Sequence, residues 1–183
     1  MPTIDVLRAV HHPTRRRILD YLLVHGESQV GVLARALEQQ VGSISHHLRM
    51  LERAGMVERA PERATDGRTS WWRAAPGGLS WDVEDFADRP AELVQARAAE
   101  RLNFEHQLHR FRSWQQGRKQ YGPDWRRAAF STEGVGTATP AELSELADLI
   151  AQTVTGWRQG IDTDDGQERE PVFWFARGFP MQP

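Results

Sequence analysis

The chain has 183 residues, a formal net charge of −2 and no cysteine. That length holds one domain or two small ones with an apolar core. The missing cysteines exclude disulfides, thiolate metal sites and cysteine nucleophiles, which fits a reducing compartment. The opening residues MPTIDVLRAVHHP show neither a secretory signal nor a membrane-spanning run, so the expected location is cytoplasmic, with no membrane partner. Charge is unevenly placed. Residues 1–75 hold 11 Arg against 8 acids, and the remainder holds 12 Arg and Lys against 17 acids. A basic front and an acidic rear suit a nucleic-acid-facing module joined to one that faces something else.

Helical periodicity opens at Ile4–Val10 and resumes after His12-Pro13. Pro13 fits the first turn of a helix through Arg15, Ile18, Leu19, Leu22 and Leu23, and Gly26 is its expected C-cap. A short helix over 29–37 turns Val30, Leu33, Ala34 and Leu37 inward. The next helix, about 41–54, stops at Gly55. In it Ile44, Leu48 and Leu51 fall at i, i+4 and i+7 and make one apolar stripe, with Ser43, Ser45, His46 and Arg49 off that stripe. A helix anchored on one face, with small polar groups near its start, suits insertion into a DNA major groove. Residues 56–61 and 69–74 read as two strands joined through Asp66-Gly67, with Arg63 and Arg68 near the tip.

Pro76-Gly77-Gly78 marks a break and divides the chain into domains 1–80 and 81–183. The rear domain reads as a short irregular or helical piece at WDVEDFADRP, then a long helix over 91–117 with Phe104, Leu108, Phe111 and either Gln115 or Trp114 along one side. A strand over 125–131, a helix and a strand over 172–177 make a small β-α-β region. The helix start is clear: Thr139-Pro140-Ala141-Glu142 carries a capping hydroxyl, a proline at the first position and a glutamate at the third. Leu143, Leu146, Ile150, Val154 and Trp157 follow as its apolar stripe. So much apolar surface exceeds what one small layer covers. A second copy would cover it and pair two recognition helices at half-sites one helical turn apart; folding back within one chain is the alternative.

These motifs resemble the ArsR-like winged helix-turn-helix transcription regulators of bacteria over about the first 80 residues. HPTRRRIL is similar to the family's opening helix and VGVLARAL to its first helix-turn-helix element. SISHHLRMLERAGMV is similar to its recognition helix and approach to the wing, and DGRTSWWRA to the wing itself. The resemblance implies a mainly α fold with a small β wing (α+β). It also implies operator binding, often as a repressor whose affinity a small-molecule effector changes. The implied DNA contacts are Gln40, Gly42, Ser43, Ser45 and His46, with Arg49 toward phosphate and His47 partly tucked in. At the wing, Arg63, Arg68 and Thr69 would meet the backbone or a minor groove. Two positions depart from the pattern. The inter-helix turn reads Glu38-Gln39 where glycine and an apolar residue are usual, and Gln40 replaces a serine-like cap. The absent cysteines remove the family's thiolate metal switch.

Other clusters carry less. His106 and His109, at i and i+3, could grip zinc or nickel between helices, but without a complementary triad the expectation is no metal and no cofactor. Asp162 to Gly166 resembles a calcium loop with its glycine one position early, and reads as a solvated loop. Arg15-Arg16-Arg17 is either a phosphate clamp or a solvated face. The rear tryptophans and phenylalanines are either core or an effector pocket. No nucleophile–base pair, phosphate-cradling loop or carboxylate pair points to an enzyme. The leading reading is a homodimeric, sequence-specific double-stranded DNA-binding transcription regulator of repressor type. Its recognition helix, about 41–54, would enter the major groove, with the wing, about 61–70, on the backbone or minor groove. The alternative is a winged-helix protein-interaction module with little DNA affinity.

Overall fold

Short apolar stripes in the first sixty residues become helices that bury them against one another. The computed structural model describes residues 3–63, 70–75 and 81–182. Helix α1 (Ile4–Val10) buries Leu7, Ala9 and Val10, and α2 (Pro13–His25) buries Ile18, Leu19 and Leu22. Pro13 opens α2, and His12 caps it through Nδ1, which accepts from the Thr14 N–H at 3.2 Å. Gly26 ends the helix with φ 72°, a backbone state that favours glycine. Strand β1 (Ser28–Gln29), α3 (Val30–Ala36), α4 (Val41–Arg53), β2 (Val57–Arg59) and β3 (Trp71–Ala74) follow.

The strands form an antiparallel sheet in the order β1-β3-β2, with Ser28 opposite Trp72 and Arg59 also opposite Trp72. β1 lies outside the sequence expectation, because two polar residues carry no period-2 signal and its partner is over forty positions away. Leu33, Ile44, Leu48, Leu51, Val57 and Trp72 join the α2 stripe in one core. A second cluster follows the wing. Phe86, on a 3-10 turn (Val83–Phe86) capped by Asp82, is fully buried with Leu7, Ala96 and Ala99. The last two lie on α5 (Pro90–Gly117).

The described residues divide into two units at His109 and Arg110. The second unit contains the end of α5, α6 (Pro123–Ala128) and α7 (Pro140–Gln159). The predicted capping box is formed: Thr139 Oγ1 accepts from the Glu142 N–H, and Glu142 reaches back to the Thr139 N–H at 2.7 Å. The two predicted rear strands are not. Residues 123–128 are helical, because Pro123 sits at N1, Asp124 supports the first turn and Arg127 pairs with Asp124 one turn on. Residues 172–177 have no regular structure. Their aromatic side chains pack instead: Trp174 lies edge-on to Trp157 at 5.4 Å, and the Arg110 guanidinium lies 4.8 Å from the Phe173 ring centre. The expected β-α-β region is therefore helical, with irregular chain after α7. Among the described residues, no helix is long and apolar enough to cross a membrane.

Candidate nucleic-acid interface

Helix α4 is fixed by Ile44, Leu48 and Leu51, each with no exposed surface. At about 100° per residue, the face opposite this stripe carries Gly42, His46, Arg49 and Arg53 at i, i+4, i+7 and i+11. All four are exposed. A Cβ added at Gly42 would meet nothing within 4 Å, so the glycine leaves open space in front of the helix. Ser43 and Ser45 flank the ridge on its two sides and are half-buried. Gln40 occupies the N-cap, exposed, and its side chain caps nothing.

His47 is turned inward from the ridge. It is half-buried, its ring centre lies 4.7 Å from that of His12, and its Nδ1 has no hydrogen-bond partner among the described residues. Burial lowers its pKa, with His12, Arg15 and His46 pushing the same way. His12 is lowered likewise by burial and then by Arg15 and His46. The stack is therefore held neutral, which keeps the His12 Nδ1 lone pair free to cap α2.

At the wing, Arg63 follows β2 on a 3-10 turn (Pro61–Arg63) and donates to Glu27. Glu27 also accepts from Arg73, which is bonded to Glu58 and Glu62 as well. Arg63 is thus half-engaged by the sheet's own acids. Arg68, Thr69 and the Asp66-Gly67 turn lie outside the described residues. The triple arginine is resolved into separate duties. Arg15 donates to the Arg8 and Ala9 carbonyls at the end of α1, Arg16 to Asn103 at 2.9 Å, and Arg17 to the Leu37 carbonyl at 3.1 Å. All three stitch helices together, so none is given over to a phosphate clamp alone.

Three polar residues of this face were not anticipated from sequence. Arg53 could have been, by continuing the spacing of Gly42 and His46 one further turn. Arg59 and Ser70 could not, because only the strand register brings them beside α4. Arg59 donates to Glu52 at 3.2 Å and to Ser70 at 3.1 Å, and lies 4.5 Å from the Trp72 ring centre. His106 is half-buried and His109 exposed. Among the described residues no three His, Cys, Asp or Glu side chains converge as a metal ion would require. The 162–166 segment is an exposed loop, with Asp162 accepting from the Asp164 N–H and Asp165 bonded to Arg169.

Residues 12–59 match the family described as bacterial regulatory protein, arsR family. Over 53 residues the chain is 42% identical to the transcriptional repressor SdpR of Bacillus subtilis, spanning 29% of this chain and 58% of SdpR. The chain thus spans little more than half the length of that relative. Among solved structures, it is 32% identical to a possible transcriptional regulator for arsenical resistance. That match covers 60% of this chain and 94% of the other, with a TM-score of 0.35. Reduced HlyU of Vibrio cholerae is 29% identical, covering 39% of this chain and 70% of HlyU, with a TM-score of 0.34. Overlaps that loose say nothing of how the whole chain is arranged. The match at 12–59 falls on α2, α3, α4 and β2, the elements that build the exposed ridge. This segment of the chain is a helix-turn-helix domain of the bacterial ArsR family.

Proposed function

We propose that the protein is a sequence-specific, double-stranded DNA-binding transcription regulator of repressor type that acts as a homodimer. The observation that carries this reading is the exposed ridge of Gly42, His46, Arg49 and Arg53 on a helix whose opposite face is fully buried. Imidazole and amide groups at its front, including Gln40, suit base edges, and the arginines suit phosphate or guanine. The dimer is supported by the second unit. None of its described residues is buried, and Phe111, Leu146, Leu149, Ile150 and Trp157 all stand exposed. Seventy residues that bury so little do not hold themselves together, and a second copy supplies the missing cover.

Selection of bound duplexes from a random DNA pool tests the reading. The expected result is a short enriched site with twofold symmetry, lost when His46 is changed to Ala. Sedimentation should give twice the monomer mass. A protein that retains no duplex DNA at low salt would refute the DNA reading, and in that case the exposed aromatic rear half favours the protein-interaction module.

A further inference from the structure

Beside the ridge, between α4 and the sheet, lies a crevice of about 160 Å³ lined by Val30, Ser45, Arg49, Arg59, Ser70 and Trp72. Its polar lining includes two guanidinium groups and two hydroxyls, a set rich in donors, beside the Trp72 ring. Arg59 is fixed from several directions: Nε on Glu52, Nη1 on Ser70, and its plane near the Trp72 ring. Its Nη2 has no acceptor among the described residues. Arg49 has no ion pair or hydrogen bond there at all. Trp72 is 3% exposed, and its Nε1, itself buried, has no acceptor among the described residues. A buried donor without a partner is uncommon enough to call for one.

We propose that this crevice seats a single DNA backbone phosphate, with Arg49 and Arg59 supplying charge and Ser45 and Ser70 supplying hydrogen bonds. The proposal rests on the DNA-binding reading and deepens it. A base edge lies in the floor of the groove and meets the front of α4, whereas a phosphate stands on the groove wall and meets its flank. Ser45 lies on that flank, so it positions the protein on the backbone while His46 reads sequence. The nearby carboxylate, Glu52, holds Arg59 and orients it. A tetrahedral anion with several acceptor oxygens meets the guanidinium groups and the hydroxyls together.

Fluorescence anisotropy of the full chain with two labelled 30-base-pair duplexes of unrelated sequence tests this, with affinity measured across a salt series. Arg59→Gln keeps a side chain over Trp72 while removing the charge, and Arg59→Lys restores the charge. The expected result is that Arg59→Gln weakens both duplexes equally and lowers the slope of log affinity against log salt by about one, while Arg59→Lys recovers that slope. Ser70→Ala should weaken both duplexes with an unchanged slope. A wild-type slope in Arg59→Gln, or a loss confined to one duplex, overturns the phosphate assignment and leaves DNA binding standing. Absence of binding by the wild-type chain overturns both.

Discussion

Replacing Glu38 with glycine should stabilise the protein, although it changes one exposed residue in a turn. Glu38 has φ 54° and joins α3 to α4. In that left-handed region the Cβ of an L-residue crowds the backbone at a cost of about 1–2 kcal/mol. The Glu38 side chain is exposed and makes no hydrogen bond or ion pair among the described residues, so little is lost by removing it. Glycine adopts the same φ freely, but its looser unfolded chain returns roughly 0.5–1 kcal/mol of that gain. The net expectation is about 0.5–1 kcal/mol, or roughly 2–3 °C in thermal midpoint for a chain of this size. Thermal melts followed by circular dichroism, with urea midpoints at unchanged m, give the measurement. Glu38→Ala is the control, since it removes the charge and keeps the strained φ. If alanine stabilises as much as glycine, the gain comes from charge. If glycine lowers the midpoint, the backbone argument is wrong.

Two other outcomes follow from the same unit. Gly42→Ala should raise stability by about 0.5 kcal/mol through helix propensity, because its Cβ meets nothing, while weakening DNA binding by filling the open space in front of α4; thermal melts and anisotropy on one sample separate the two. Acid should destabilise the fold through His11, whose pKa is lowered from 6.5 to about 4 by burial and then by Arg16. The unfolded chain takes up this proton first, so the stability present above pH 6.5 is lost as pH falls toward 4. The full shift would be worth about 3 kcal/mol, and partial exposure of the ring reduces that to about 1–2 kcal/mol. Urea midpoints between pH 7.5 and 4.5 measure it, and His11→Gln should flatten the dependence.

The front unit was legible in the sequence because its elements are local. Ile44, Leu48 and Leu51 mark α4 by spacing alone, and Pro13 marks the start of α2 by chemistry that acts within one turn, as Thr139 does for α7 in the second unit. What could not be read depends on distant partners. Ser28-Gln29 becomes a strand only because β3 is there to pair with it. Ser70 reaches Arg59 only through the register of β2 and β3. In the rear half, residues 172–177 have strand-like composition, but aromatic and β-branched residues report a need for burial as much as a backbone preference. Among the described residues of that unit there is no strand edge to join, and Trp174 packs edge-on to Trp157 instead. For 125–131, Pro123 and Asp124 were the overlooked signal, since a helix start outranks a short apolar run.

The departures at Glu38 and Gln40 put the angle of α4 in question, and the packing answers it from outside the turn. The strained residue follows Leu37, whose carbonyl accepts from Arg17 on α2. Gln39 returns its N–H to Ala34 at 2.9 Å, closing the end of α3 without glycine. Leu48 and Leu51 then clamp α4 against the α2 stripe, and His47 meets His12 at the start of α2. Thus α2 touches both sides of the turn, by a hydrogen bond at one end and packed rings at the other. The same helix is tied to Asn103 on α5 through Arg16 and to the end of α1 through Arg15. Three consecutive arginines, open in the sequence to a phosphate clamp or a solvated face, therefore act in three directions, and α4 takes its orientation from α2 as much as from its own turn.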